Sequence, residues 1–183
     1  MGVAHDVINK VGHALGGVRA GPAKLASRRL GGDHVIVVSS PAFVDGEPLP
    51  ISATRDGDGV PPEILWESVP QDTKSIAVVV EDPDAPFPEP FVHWLVYAIP
   101  PSARSLGPAV VTASREGKNS NLRRGYAPAA PPPGHGVHHY HFQVIALDIP
   151  IAFAGGVGRR ELIEAMGGHV LGWGEIIGTY ERK

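Results

Sequence analysis

Residues 76–99 decide the fold, and they read IAVVVEDPDAPFPEPFVHWLVYAI. Their two apolar runs, 76–80 and 91–99, are short, rich in β-branched and aromatic residues, and bounded by turn residues, so they predict two strands. The loop between them, residues 81–90, contains four prolines. Each proline fixes its own φ angle and pushes the preceding residue into an extended conformation, so we expect a rigid strand–loop–strand unit.

The rigid loop predicts a small polar site. It carries Asp82 and Asp84 at the mouth of two buried strands, and His93 follows near the start of the second strand. Because the loop is crowded with prolines and must turn sharply, we also predict a cis peptide bond between Ala85 and Pro86.

A second proline-stiffened loop leads into another predicted strand, residues 138–147. Successive side chains of a strand point to opposite faces of its sheet. His138 and Tyr140 therefore share a face with aromatic core residues, whereas His139 and His141 are expected to face outward.

The remaining elements are mostly short strands. Strands are predicted at 34–39, 64–66 and 173–180, where β-branched and aromatic residues lie between Gly- and Pro-rich segments. Residues 158–170 carry apolar side chains at helical spacing and predict an amphipathic helix.

The N-terminal segment differs from the rest of the chain. Val3, Val7, Val11 and Leu15 recur at helical spacing, so residues 3–19 predict an amphipathic helix that is buried against protein. Residues 22–32 are typical of a linker. We therefore predict an N-terminal appendage at 1–32 and a globular domain at 33–183.

The composition indicates a globular chain with many turns. Of 183 residues, 43% are hydrophobic, and glycine (23) and proline (19) are frequent. The absence of cysteine excludes disulfides and thiolate metal sites. No apolar run approaches the roughly 18 residues that span a bilayer, so we expect a soluble, cytoplasmic protein without membrane contact.

The charge is unevenly distributed. The net charge is −3, but residues 1–32 carry +4, which leaves −7 on the remainder. An acidic body without a basic stripe argues against nucleic acid as a partner.

The histidines and aspartates of the sequence suggest two possible metal sites. His139 and His141, with His138 or His135, have the side chains of a zinc site, but no further ligand follows at reliable spacing. The run at 56–59 alternates Asp and Gly as calcium loops do, but it lacks their twelve-residue length and terminal Glu. We therefore expect no metal.

The sequence gives little support for a hydrolytic active site. There is no cysteine and no Gly-x-Ser-x-Gly motif to supply an activated nucleophile. Asp82 and Asp84 are two residues apart on a proline-locked loop, so they cannot flank a sugar as the carboxylates of a glycosidase do. The simplest alternative is that these aspartates cap turns and that the histidines fill polar corners.

Several separate motifs, taken together and in order, resemble those of the phosphatidylethanolamine-binding protein family. They are Asp82-Pro83-Asp84-Ala85-Pro86, His93-Trp94, Gly125-Tyr126, Pro131-Pro132-x-Gly134 and His138-x-Tyr140. The similarity is closest to the bacterial Raf-kinase-inhibitor-like branch of that family and covers about residues 34–182.

The resemblance implies a mainly β fold, an antiparallel Greek-key β-sandwich with a few peripheral helices. It also implies a small anion pocket that accepts phosphate-like groups or phospholipid head groups, with no cofactor and no established enzymatic reaction. The candidate ligand-binding residues are Asp82, Asp84, Pro86, His93, Tyr126, Pro131, Pro132, His138 and Tyr140.

The chemistry of these residues fits an anionic or zwitterionic ligand. A protonated imidazole can hold a phosphoryl oxygen through a charge-assisted hydrogen bond. Asp82 would repel a phosphate, so we expect it to orient and charge His93 or to receive a ligand ammonium group. Relatives commonly have glycines where residues 127–130 read Ala-Pro-Ala-Ala, so a backbone anion site would lose donors here.

We therefore expect a non-enzymatic binding protein for a small anionic or zwitterionic ligand such as phosphate or phosphoethanolamine. The alternative is an inhibitor or scaffold that binds a kinase or protease over the rim of the pocket. A hydrolase comes third. The sequence is compatible with a protein partner and with a homodimer.

Overall fold

The computed structural model describes residue 17, residues 19–153 and residues 156–183. Its strands are β1 (Val37–Ser39), β2 (Leu65–Glu67), β3 (Ser75–Asp82), β4 (Phe91–Ile99), β5 (Arg115–Glu116), β6 (His138–Leu147) and β7 (Val170–Tyr180). Its helices are α1 (Ala26–Leu30), α2 (Pro108–Ala113) and α3 (Arg159–Met166), with 3₁₀ turns at Pro22–Lys24 and Ile51–Ala53. No helix in these ranges is long and apolar enough to cross a membrane.

The strands form two antiparallel sheets. β1 and β2 make a two-stranded sheet, and the larger sheet has the order β5-β4-β3-β6-β7. In the larger sheet β3, β4 and β5 are consecutive neighbours, and β6 returns to pair with β3, which is the strand order of a Greek key. The expectation of a mainly β, antiparallel fold with few helices is confirmed.

Each face of the larger sheet packs against a different layer. On one face Val78, Val80 and Phe142 pack with Ile36 and Trp66 of the small sheet and its flanking chain. On the other face Val79 and Ile145 pack against Ala26 of α1 and Leu162 of α3. All eight residues of β3 are buried as a result.

The alternation along β3 sends two adjacent acids to opposite faces. Val79 and Glu81 lie on the side of α1 and α3, whereas Val80 and Asp82 lie on the side of the small sheet. The end of this strand therefore supplies one carboxylate to each side of the sheet.

The linker predicted at 22–32 is wrong. The segment contains α1, and the side chains of Leu25 and Ala26 are completely buried. The backbone amide of Ala26 donates to Glu81 Oε2 at 2.8 Å, and that of Ser27 donates to Gln143 Oε1 at 2.8 Å. These hydrogen bonds fix the segment on the back of the sheet. The helix predicted at 3–19 lies almost wholly outside the described residues.

Glu81 is the buried acceptor at the centre of this contact. Besides the amide of Ala26, it accepts hydrogen bonds from Gln143 Nε2 at 2.8 Å and from Arg159 Nε. The same guanidinium donates to the carbonyl oxygen of Lys24. A buried carboxylate needs an opposite charge and hydrogen-bond donors, and this one has both.

Most of the predicted elements are present. Residues 138–147 form β6 with the predicted bounds, and the strands predicted at 76–80 and 91–99 are β3 and β4. The helix predicted at 158–170 is shorter, because Gly167 ends α3 and Gly168 has a φ of +79°.

The predicted cis bond between Ala85 and Pro86 is wrong, because none of the described peptide bonds is cis. The turn of the loop is closed by side-chain hydrogen bonds instead. Asp82 Oδ1 accepts the backbone amides of Asp84 at 2.8 Å and of Ala85 at 3.1 Å, so the carboxylate itself closes the turn.

Candidate functional site

A cavity of about 470 Å³ opens at one end of the larger sheet, where β3 ends and β4 and β6 begin. Ligand sites in proteins are commonly concave, have volumes of roughly 300–1,000 Å³ and combine apolar walls with a few polar groups. The lining residues are Arg55, Asp82, Ala85, Pro86, Phe87, Phe91, His93, Asn121, Arg123, Pro128, Ala130, Pro131, Pro132, His138 and Tyr140. Seven of the nine predicted site residues are among them.

Asp82 is buried, and its carboxylate is already occupied. Oδ1 accepts the two loop amides, and Oδ2 lies 2.7 Å from His138 Nδ1. The expectation that Asp82 orients His93 is therefore wrong, because its hydrogen bond goes to His138. A carboxylate with three donors has little capacity left for a ligand ammonium group.

His138 is the middle member of a buried chain of hydrogen bonds. Its Nδ1 atom is bonded to Asp82, and its Nε2 atom lies 2.6 Å from His135 Nδ1. All three side chains are buried. Sequence reasoning considered His135 only as a metal ligand, because nothing in the local pattern brings it to His138.

His93 is held in one tautomer by the protein backbone. Its Nδ1 atom lies 2.6 Å from the carbonyl oxygen of Ala127, so Nδ1 carries the hydrogen and donates it. Burial lowers the pKa of His93, an effect that the nearby charge of Asp82 only partly opposes. The ring is therefore neutral near pH 7 in the free protein, rather than protonated as the sequence argument assumed.

Tyr140 supplies a buried hydroxyl that lacks a partner. The residue is 1% exposed and lines the cavity, and its hydroxyl has no hydrogen-bond partner in the part of the chain that the structure describes. Burial and the charge of Asp82 raise the pKa of Tyr140, so the hydroxyl stays protonated and available as a donor. Of the buried hydroxyls without a partner in the described chain, that of Tyr140 belongs to a residue that lines the cavity.

Two arginines and two phenylalanines lie towards the mouth of the cavity. Arg55 and Arg123 are exposed, and Phe87 is 49% exposed and packs against Phe91 with ring centroids 6.0 Å apart. Sequence reasoning missed both arginines, because they lie on loops without any periodic pattern.

Asp84 and Tyr126 are the two predicted site residues that lie outside the cavity lining. Asp84 pairs with Arg19 at 2.7 Å and accepts a hydrogen bond from the backbone amide of His139 at 2.9 Å. The hydroxyl of Tyr126 donates to the carbonyl oxygen of Ala53 at 2.9 Å. Both side chains thus have protein partners of their own.

Two amides of the loop of residues 127–130 donate to the protein. The amide of Ala127 donates to the carbonyl oxygen of His93 at 2.8 Å, and that of Ala129 donates to the carbonyl oxygen of Ala53 at 3.3 Å. Pro128 has no N–H. These three positions therefore offer no backbone donor to a ligand, whereas Ala130 lines the cavity.

The two histidines that were predicted to face outward, His139 and His141, differ in their exposure to solvent. His139 is exposed, with Nδ1 2.7 Å from Asp84 Oδ2. His141 is only 7% exposed, so the prediction that it faces outward is wrong. The segment of residues 22–32 packs on this face of the sheet, and the Nδ1 atom of His141 lies 3.0 Å from Glu175 Oε2. Within the described ranges no three such side chains are grouped as a metal site.

Comparisons with known proteins agree with the architecture. A family model described as phosphatidylethanolamine-binding protein matches residues 39–181. The chain is 39% identical over 162 residues to a UPF0098 protein of Pyrococcus abyssi, and the match covers 84% of this chain and 89% of the relative.

Solved structures include chains with the same architecture. A phosphatidylethanolamine-binding protein homologue from Chlamydia trachomatis superposes with a TM-score of 0.76 at 33% identity, covering 82% of this chain and 100% of that one. A carboxypeptidase Y inhibitor, solved in complex with its cognate proteinase, has a TM-score of 0.55 at 18% identity, covering 97% of this chain and 94% of that one. At that identity the likeness shows the fold alone.

Proposed function

The chain belongs to the phosphatidylethanolamine-binding protein family, and from that premise we propose that it binds a small phosphate-like anion in the cavity at the end of β3. The observation that carries the proposal is the hydroxyl of Tyr140, which is buried in the cavity wall without a hydrogen-bond partner in the described chain. A ligand oxygen placed there would satisfy it.

His93 is the second donor to that ligand. Its ring is packed edge-on to that of Tyr140, with centroids 5.0 Å apart, and both residues line the cavity. Because Nδ1 is committed to Ala127, only Nε2 remains for a ligand. A neutral ring offers Nε2 as an acceptor, and an anion would favour the protonated ring, in which Nε2 donates.

The charges around the cavity favour an anion over a cation. Arg55 and Arg123 contribute permanent positive charge, since guanidinium groups stay protonated in proteins. The one acidic lining residue, Asp82, already accepts three hydrogen bonds. We therefore propose a ligand with an anionic head, and we assign no site in this cavity to an ammonium group.

We further propose that the protein binds this anion without turning it over. The lining contains no serine, threonine, cysteine or lysine, and the side chains of Asp82 and His138 are already hydrogen-bonded to protein groups. Binding over the rim to a kinase or protease stays a prediction, since the carboxypeptidase Y inhibitor shares only the fold.

Calorimetric titration with sulfate tests the proposal, because the charge of sulfate does not change with pH near neutrality. Tyr140→Phe should weaken sulfate binding about 10- to 100-fold, the scale of a hydrogen bond to a charged group. Tyr97→Phe is the matched control: Tyr97 also carries a buried hydroxyl without a partner in the described chain, but it lies on the opposite face of the sheet. Equal affinities of the wild type and Tyr140→Phe, or no sulfate binding at all, would refute the proposal.

A further inference from the structure

We propose that the physiological ligand carries two linked phosphate-like groups, one bound in the cavity by His93 and Tyr140 and the other bound at the mouth by Arg55 and Arg123. The chemical class is a small diphosphate. This inference rests on the proposed anion-binding function and adds the second group.

The cavity is larger than one phosphate group requires. Its volume of about 470 Å³ lies in the range of sites that enclose whole organic ligands. The polar groups divide into two sets. His93 and Tyr140 are buried, whereas Arg55 and Arg123 are exposed. A ligand that satisfies both sets must have acceptor oxygens at two depths.

The backbone of Arg55 is fixed beside the cavity, and its guanidinium forms no ion pair in the described chain, although its charge contributes to lowering the pKa of Asp56. Its backbone amide donates to the carbonyl oxygen of Ala129 at 2.9 Å, which places the residue beside the cavity loop. The neighbouring carboxylate of Asp56 is taken by Arg182, through two hydrogen bonds of 2.9 Å, and by Tyr180 at 2.7 Å. No ion pair joins the Arg55 guanidinium to a carboxylate of the described chain.

Arg123 is fixed by a different loop. The buried side chain of Asn119 accepts the backbone amide of Arg123 at 3.3 Å, and the amide of Asn119 donates to the Arg123 carbonyl oxygen at 2.9 Å. Within the described ranges this guanidinium also forms no ion pair with a carboxylate. By contrast, Arg19, Arg28 and Arg159 each pair with one.

The two sets of groups suit the two ends of a diphosphate. A guanidinium matches phosphate oxygens with paired N–H donors and keeps its charge at any physiological pH. The more highly charged terminal phosphate is therefore best placed at the arginines. The inner phosphate meets a neutral hydroxyl and an imidazole that is uncharged until it binds a proton.

Calorimetry with inorganic phosphate and pyrophosphate, in metal-free buffer at constant ionic strength, tests the inference. Wild-type protein should bind pyrophosphate at least 10-fold more tightly than phosphate. Arg55→Gln and Arg123→Gln should each weaken pyrophosphate binding at least fivefold and should weaken phosphate binding by a clearly smaller factor, because phosphate senses their charge without contacting them. Arg124→Gln is the matched control, because it removes the same charge from the next residue, which does not line the cavity.

The outcomes separate the two proposals. If phosphate binds but pyrophosphate binds no more tightly, the second anionic group is wrong and the anion site stands. If Arg124→Gln weakens pyrophosphate binding as much as Arg123→Gln does, the tighter binding of pyrophosphate results from general electrostatic attraction, and the inference is overturned. If neither anion binds, the proposed function itself fails. Methylenediphosphonate, which resists hydrolysis, should reproduce the pyrophosphate result.

Discussion

The Nε2 atom of His138 lies 2.6 Å from the Nδ1 atom of His135, so the histidine that the sequence assigns to anion binding is already hydrogen-bonded inside the protein. Its other ring nitrogen is bonded to Asp82 at 2.7 Å. A ligand can therefore reach His138 Nε2 only if it displaces His135. The donors left for an anion are the hydroxyl of Tyr140 and, once its ring is protonated, Nε2 of His93. The two histidines of the predicted pocket are therefore not equivalent.

His135→Ala should strengthen anion binding. The substitution frees His138 Nε2 from its hydrogen bond to His135, so a ligand can contact it. A net hydrogen bond contributes about 1 kcal/mol, so sulfate affinity should rise about fivefold. Calorimetry measures the change. A loss of affinity would mean that His135 itself contacts the ligand.

Sulfate binding should strengthen as the pH falls. Burial holds the pKa of His93 in the free protein below the ordinary 6.5; the carboxylate of Asp82 and the hydrogen bond to Ala127 act in the opposite direction, and the neighbouring His138 adds to the lowering. A bound anion stabilises the protonated ring and so raises its pKa, which means that binding takes up a proton between the lowered pKa of the free protein and the higher pKa of the complex. Affinity should therefore rise as the pH falls through that window and level off below it.

The variant His93→Gln checks that assignment. It should bind sulfate more weakly at low pH and should lose most of the pH dependence, as measured by calorimetry between pH 5 and 8. A pH profile that is unchanged in this variant would assign the proton uptake to another group.

His141→Ala should lower stability without affecting the cavity. The side chain is buried, and its hydrogen bond helps to keep the pKa of Glu175 low although burial of that carboxyl acts in the opposite direction. Removing a buried partner should cost about 1–3 kcal/mol in chemical denaturation. His139→Ala, at an exposed position, should cost less than about 0.5 kcal/mol. A large change in sulfate affinity in either variant would contradict the assignment.

Glu81→Gln should be among the most destabilising single changes in the chain. The substitution leaves the guanidinium of Arg159 without its buried counter-charge and turns one acceptor into a donor that faces the amide of Ala26. Breaking a buried pair typically costs about 3–5 kcal/mol.

Arg160→Gln is the control for that prediction. Arg160 is 81% exposed, and its contacts with Glu161 and Glu164 are 3.8 and 3.9 Å long. Its loss should cost less than about 0.5 kcal/mol by urea denaturation. Equal costs for Arg160→Gln and Glu81→Gln would show that burial of Glu81 does not control stability.

The elements that sequence reasoning predicted well are those with a strong periodic pattern. β6 was predicted with its bounds because His138, Tyr140 and Phe142 alternate with polar residues, and the structure places these three on the small-sheet face. The same alternation placed His141 on the opposite face, which is correct. Its exposure could not be predicted, because the covering segment comes from residues more than one hundred positions earlier.

The features that were missed depend on contacts between distant residues. α1 has only five residues and is followed by Gly31 and Gly32, so its local pattern is typical of a linker. It is helical and buried because Glu81 and Gln143 accept its first amides. Arg55 reaches the cavity through a pairing of its loop with Ala129, and no property of residues 51–60 encodes that partner.

The docking of the N-terminal segment also has a consequence for how the protein is made. The amide of Ser27 donates a hydrogen bond to Gln143, which lies 116 positions later in the chain. The carbonyl groups of Lys24 and Gly32 accept hydrogen bonds from side chains 135 and 141 positions later. Residues 24–32 are therefore synthesised more than one hundred residues before the partners against which they pack. Domains acquire their structure as units during synthesis, at roughly 5–20 residues per second. Nascent chains released before α3 and β7 are complete should keep Leu25 and Ala26 uncovered, and such chains are natural substrates for chaperones.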